Sequence, residues 1–280
     1  MGDVGLGLLA TVIALGVAAT PGRGWLRVPV ATNHRGSQVP LSLGYALAAG
    51  YGVLVVVSAF GVACGAAPGC DEAASGWLWL LLAMALVFGA GLYDDRQRAQ
   101  VHGVRAHVRA LAHGRVTSGI IKVLAALAAS IIVVAAAGTS GASLVVAVLL
   151  VAGTTNLANV LDVVPGRALK FSLPVAVVLL GVTQTRLGWA TVGQAAVLLP
   201  FDVRERGMLG DAGANLLGFG LGVVAFQSLS TAWMCAALVV VLLLNALAET
   251  VTLTRIIRAT PPLRWVDELW RIPTPDPRAS

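Results

Sequence analysis

The sequence predicts an all-α fold: a polytopic transmembrane helical bundle of about nine spans (8–10), with the N-terminus outside. Three observations carry this. Of 280 residues, 58% are hydrophobic and only 11% charged, with a mean hydropathy of +0.86, whereas soluble globular chains carry about 25% charged residues. Apolar runs recur at the length needed to cross a bilayer core. Basic residues alternate between the connecting segments. This pattern excludes a disordered, fibrous or ordinary cytosolic chain.

The runs lie near 4–20, 43–63, 77–93, 118–137, 143–161, 171–184, 188–201, 212–228 and 231–249. The opening Met-Gly-Asp-Val has no basic region ahead of its apolar stretch, so the first run reads as a retained helix and not a cleaved signal. The pair between 171 and 201 is short, which leaves tilted, re-entrant or merged arrangements open. Residues 1–250 form the transmembrane unit. Residues 251–280 form a cytoplasmic tail, Pro-rich at TPPL and IPTPDP, with one short helix over 263–270.

Orientation follows from charge. Segments 21–41, 94–117, 162–170, 202–211 and 250–280 hold nearly all of the 19 basic residues, and Lys122 begins the fourth span on the same side. The opposite loops hold one basic residue, Arg186, with Asp71 and Glu72. Positive charge gathers on the cytoplasmic side, so the N-terminus faces out and the basic segments face in. The net charge of +6 then reflects anionic headgroups, not nucleic acid. Cys64 and Cys70 flank an outer loop where one bridge could form, and Cys235 lies in an apolar run as a packing residue.

The carboxylates are the informative polar groups, because charge at membrane depth is costly. Asp94, Asp95, Asp162, Asp202, Glu205 and Asp211 all fall on the face that holds the arginines. Carboxylates and guanidiniums together suit a phosphorylated substrate and a divalent metal, since Mg²⁺ takes one or two carboxylates plus phosphate oxygens. Asp94 and Asp95 end an apolar helix, where the macrodipole disfavours negative charge; a cation, or the following Arg96 and Arg98, would offset it, unless the end is simply solvated. Asp211 enters a helix from a Gly-flanked turn, as a metal ligand beside an anion site or as a simple N-cap. Asn156, Asn159 and Asp162 are spaced three apart and share one face of a helix, lining a cavity or bonding to a neighbouring helix. Gly218, Gly220 and Gly222 read as helix–helix contacts. Between these pieces, Val101, Val104, Val108 and Leu111 form one stripe and His102, Arg105, Arg109 and His113 another: a basic amphipathic helix in the headgroup layer.

In order, these pieces resemble the polyprenyl-phosphate N-acetylhexosamine-1-phosphate transferases, the family of lipid I synthase and of the enzymes that initiate teichoic-acid and O-antigen synthesis. NHRGSQVPLSLG at 33–44 looks like the family's first cytoplasmic loop, Asp94-Asp95 like its paired-Asp motif, Asn156–Asp162 like its Asn-rich helix end, and Gly210-Asp211-Ala212-Gly213 like its Gly-Asp-x-Gly motif. The chain departs from the pattern at Val163, Pro165 and Met208, in having Leu43-Gly44 for a Gly pair, and in lacking a late His cluster.

The resemblance implies transfer of an N-acetylhexosamine 1-phosphate from a UDP-amino sugar to undecaprenyl phosphate, with release of UMP, in cell-wall or other envelope glycan synthesis. It implies Mg²⁺, or Mn²⁺ in its place, held by Asp211 and Asp95. Asp94, Asp95 and Asp211 would be catalytic. Asn156, Asn159, Asp162, Lys122, His34, Arg35, Arg105 and Arg109 would bind substrate. It further implies a multi-pass protein of the inner (plasma) membrane, active on its cytoplasmic face, in contact with membrane lipids and compatible with a homodimer. The alternative is a non-catalytic relative that binds a lipid-linked intermediate as an envelope-assembly scaffold. A transporter would place charges near mid-bilayer, which this chain does not.

Overall fold

The computed structural model describes residues 2–20, 28–33, 35–63, 70–97, 104–250 and 253–272. Each of the nine apolar runs is a helix: α1 (Asp3–Ala18), α2 (Ser42–Ala63), α3 (Cys70–Gln97), α5 (Ser118–Ala136), α6 (Gly141–Leu161), α7 (Arg167–Val182), α8 (Arg186–Asp202), α9 (Gly210–Ser228) and α10 (Thr231–Thr250). The short pair is two distinct helices, α7 and α8, parted by a turn at 183–185. Three more helices lie outside the runs: α4 (Val104–Ala112), within the predicted basic segment, and α11 (Leu253–Ala259) and α12 (Pro261–Glu268), in the tail. A hairpin of β1 (Val30–Thr32) and β2 (Gln38–Pro40) precedes α2, with Ala31 opposite Val39. Among the described residues, α2, α3, α5, α6 and α10 are each long and apolar enough to cross a membrane. The protein is an all-α polytopic membrane protein.

Helix α9 forms the centre. Ala212 through Ala225 are buried without interruption, as expected of a helix apolar on every side. Its glycines admit the neighbours: a Cβ on Gly218 would lie 2.5 Å from Thr154 O of α6, one on Gly222 2.8 Å from Val151 Cα, and one on Gly220 2.6 Å from Tyr51 Oη of α2. Small residues thus replace side-chain packing with direct backbone approach. Helix α10 packs on α6 and otherwise faces outward. Cys235, read as a core residue, is therefore exposed on it, because an apolar run in a membrane protein faces lipid as readily as core. Cys64 and the side chain of Cys70 lie outside the described residues, as do Val101 and His102 and the side chains of Val104 and Val108 in the predicted stripes.

The two ends of the bundle differ. At one, Arg186 Nε bonds Asp3 Oδ1 at 2.6 Å and its guanidinium stands 5.8 Å over the Trp77 ring. At the other meet the hairpin, the C-terminal ends of α3, α6 and α8, the starts of α5, α7 and α9, and α12. There Arg167 holds Asp267 bidentately, Nε to Oδ1 at 2.7 Å and Nη2 to Oδ2 at 3.0 Å.

Candidate active site

The site begins with a close approach of α3 to α9. A Cβ on Gly91 would lie 2.5 Å from Ala212 Cα, and one on Gly44 2.7 Å from Leu209 O, so only glycines let α2 and α3 close on the first turn of α9. Gly210 turns into that helix at φ +65°, a left-handed conformation that glycine adopts without steric cost. One turn beyond Gly91, Asp95 reaches the helix start. Its Oδ1 accepts from Asp211 N at 2.9 Å and its Oδ2 from Ala212 N at 3.1 Å. Asp95 is thus an N-terminal cap supplied from another helix, where the exposed amides and the macrodipole favour a carboxylate.

Asp94, one residue earlier on α3, points elsewhere. Its Oδ2 pairs with Lys122 Nζ of α5, and the same ammonium bonds Asp211 Oδ2 at 2.9 Å. Three residues far apart in sequence thus meet at one cation. Asp94 is nearly buried, with its side chain 6% exposed, whereas Asp211 is 34% exposed and opens to the cavity. Asp94 Oδ1 is buried without a hydrogen-bond partner among the described residues, as is Asn159 Oδ1.

These groups line a cavity of about 1120 Å³. Asn156, Asn159 and Asp162 enter it from α6, as their spacing predicts. Asn156 is also tied outward: its Nδ2 donates to Asn245 Oδ1 of α10 at 2.6 Å, and Asn245 Nδ2 donates to Val241 O and Gly153 O. Both readings of that polar stripe therefore hold for Asn156. The far part of the cavity is apolar, with Val123 and Leu127 of α5, Leu149 of α6 and Leu242 of α10. Among the described residues the wall carries four carboxylates (Asp94, Asp95, Asp162 and Asp211) against the single ammonium of Lys122. That excess of oxygen donors suits a hard divalent cation. Among the described residues no three His, Cys or carboxylate side chains are grouped closely enough to hold a metal by themselves.

The hairpin closes one side. Met208 N donates to Pro40 O at 2.9 Å and Leu43 N to Met208 O at 3.2 Å, joining β2 to the loop before α9. Asn33 Nδ2 donates to Glu205 Oε2 at 2.6 Å, and Arg35 stands 3.8 Å from the same oxygen. Arg35 thus serves the loop contact and is absent from the cavity wall, as is Arg109, which is exposed on α4. His34 and the side chain of Arg105 lie outside the described residues.

Three wall residues escaped the sequence reading. His107 of α4 faces the cavity with its Nδ1 2.7 Å from Thr117 Oγ1. Its ring lies on the backbone of α5, where a Cβ on Gly119 would come 2.5 Å from Nε2. Thr117 also caps α5, its hydroxyl accepting from Ile120 N. The signal was present: His107 belongs to neither stripe of the amphipathic pattern. Asn215 lies one turn beyond Asp211 on the same face of α9, a spacing equally visible in sequence. Asn245, 89 residues from Asn156, carried no local signal.

A family model described as glycosyl transferase family 4 matches residues 77–229, the stretch from within α3 to just past the end of α9. No curated protein matches the chain.

Proposed function

The chain belongs to glycosyl transferase family 4, the polyprenyl-phosphate hexosamine-1-phosphate transferases, and from that premise we propose its reaction in detail. As a glycosyl phosphotransferase it passes a glycosyl 1-phosphate to a lipid carrier. The proposed donor is a UDP-N-acetylhexosamine, the acceptor undecaprenyl phosphate, the product released UMP, and the setting envelope glycan synthesis at the cytoplasmic face of the plasma membrane. The observation that carries this is the meeting of Asp94, Lys122 and Asp211 from three helices at the polar end of a half-apolar cavity.

In this reading an oxygen of the lipid phosphate bonds to the β-phosphorus of the donor. The bond from that phosphorus to the bridging oxygen breaks, and UMP leaves with the electron pair. A phosphate monoester has a second pKa of about 6 and is mostly dianionic at pH 7, so the step needs alignment and charge neutralisation more than a general base. Lys122 donates to phosphate oxygens. His107, fixed by Thr117 and Gly119, presents its ring at the cavity wall on the donor side. Asn159 turns its unpartnered carbonyl oxygen to a donor group on the nucleotide or sugar. The apolar trough between α5, α6 and α10 takes the polyprenyl chain.

The donor set fits Mg²⁺, since carboxylates are in excess at the wall and Asp94 Oδ1 has no partner among the described residues. Asp211 and Asp94 would hold it, in place of the expected Asp211 and Asp95, since Asp95 has both oxygens engaged by the amides of α9. Bound there, the ion neutralises charge on the diphosphate. Purified protein with Mg²⁺, undecaprenyl phosphate and a panel of UDP-sugars should release UMP, and Asp211→Asn should not. Wild type silent on every sugar would favour the scaffold reading, to which one feature lends support: Lys122 already pairs with both Asp94 and Asp211.

A further inference from the structure

We propose that α11 and α12 form an interfacial foot that seats on an anionic phospholipid surface. Helix α11 begins three residues after α10 ends, so it starts at the membrane boundary. Helix α12 is then bound back to the bundle end: Arg167 of α7 holds Asp267 bidentately and Thr254 through Nη1 at 2.9 Å, Lys170 Nζ bonds Asp267 O at 2.7 Å, and Arg271 Nη1 adds Asp267 Oδ2 at 3.1 Å. Asp267 is the buried residue of α12. The rest of the helix faces away from the protein.

What it presents there is amphipathic. At 100° per residue, Trp265, Pro262, Val266 and Leu263 fall on one arc and Asp267, Arg264 and Glu268 on the other. Trp265 is 66% and Trp270 67% exposed, an exposure of large apolar area that water disfavours. Trp270 is also held at φ +62°, a conformation costly for a bulky residue and maintained only where the surroundings repay it. Indole rings are enriched at the membrane–water boundary. Arg255 and Arg258 are exposed on the adjoining α11, and Arg264 on the polar arc of α12. Exposed arginines, an apolar face and a forced position at the boundary together select a lipid surface carrying negative charge.

The test uses the full chain in nanodiscs of zwitterionic phosphatidylcholine, with or without phosphatidylglycerol. The chain has seven Trp, so the emission lost in the Trp265→Phe/Trp270→Phe variant isolates these two rings. Brominated lipids should quench that difference emission and aqueous acrylamide should not. In discs with phosphatidylglycerol, Arg255→Gln and Arg258→Gln should each lower the docked-to-undocked ratio about fivefold; in pure phosphatidylcholine they should change it little. Quenching by acrylamide and not by bromolipid overturns the proposal. So does a signal silent to both quenchers in a dimeric sample, which would assign the surface to a second copy. Docking that ignores both lipid charge and the arginines overturns the anionic requirement. UMP release plays no part in the readout, so this proposal and the proposed reaction fail separately.

Discussion

Asp95 of α3 accepts the backbone amide of Asp211 at 2.9 Å, so one member of the Asp pair is anchored by the very residue whose side chain opens to the cavity. Its neighbour Asp94 instead meets Asp211 through Lys122. Adjacent residues on a helix point about 100° apart, and that angle separates their roles.

Asp95→Ala should therefore lower stability. Loss of an N-terminal cap costs about 1 kcal/mol, and thermal unfolding in detergent should show the drop together with reduced UMP release. Asp94→Asn should leave the Lys122–Asp211 pair intact and melt near wild type, yet release no UMP. Equal melting of the two variants would refute the division.

Lys122→Met leaves Asp94 and Asp211 facing each other without their cation. Breaking a buried pair costs about 3–5 kcal/mol, and the exposure of Asp211 should keep this case at or below the lower end. Added Mg²⁺ should then raise the melting temperature of the variant more than that of wild type. No difference in Mg²⁺ response would count against a divalent site at these carboxylates.

Gly218→Ala inserts a Cβ 2.5 Å from Thr154 O. Overpacking of this kind costs about 1–3 kcal/mol, and it should push α6 off α9. Asn159 and Asp162 ride on α6, so activity should fall with stability. Alanine at Gly52, where a Cβ meets nothing within 4 Å, is the control expected to be neutral.

The foot should release in acid. Burial pushes the Asp267 carboxyl up, but the bonds and charge of Arg167, with Arg271 and Lys170 beside it, outweigh that and hold it below the usual carboxylate range. A depressed folded-state value means that stability is present above the unfolded value of about 3.9 and is lost as pH falls through the folded one. Amide protection over 253–272, relative to the intrinsic exchange rate at each pH, should be high at pH 6 and fall below about pH 4. Asp267→Asn should lack protection at both. A pH-independent protection factor in wild type would remove the ion pair as the anchor.

His107→Ala should lower UMP release more than it lowers melting, since the ring lines the cavity and, among the described residues, hydrogen-bonds Thr117. Thr117→Ser, which keeps the hydroxyl, should retain activity. A fall in stability equal to the fall in activity would make His107 a packing residue.

The sequence by itself determined the membrane class, the nine apolar helices and the polar stripe of α6, because each is local: hydropathy and a three-residue spacing need no partner to be read. It also put Asp94, Asp95, Asp162 and Asp211 at one end of the bundle, where the structure finds them, since alternation of charged loops is a property of the chain's order. Only the tertiary structure decided which carboxylate does what. Asp94 and Asp95 are equivalent as letters, and they part because Gly91 lets α3 close on α9 at one rotation about the helix axis. The pairing of Asn156 with Asn245, the turn of His107 into the cavity and the return of Asp267 to Arg167 are likewise contacts between distant segments. Their energies depend on packing geometry that no window of sequence contains.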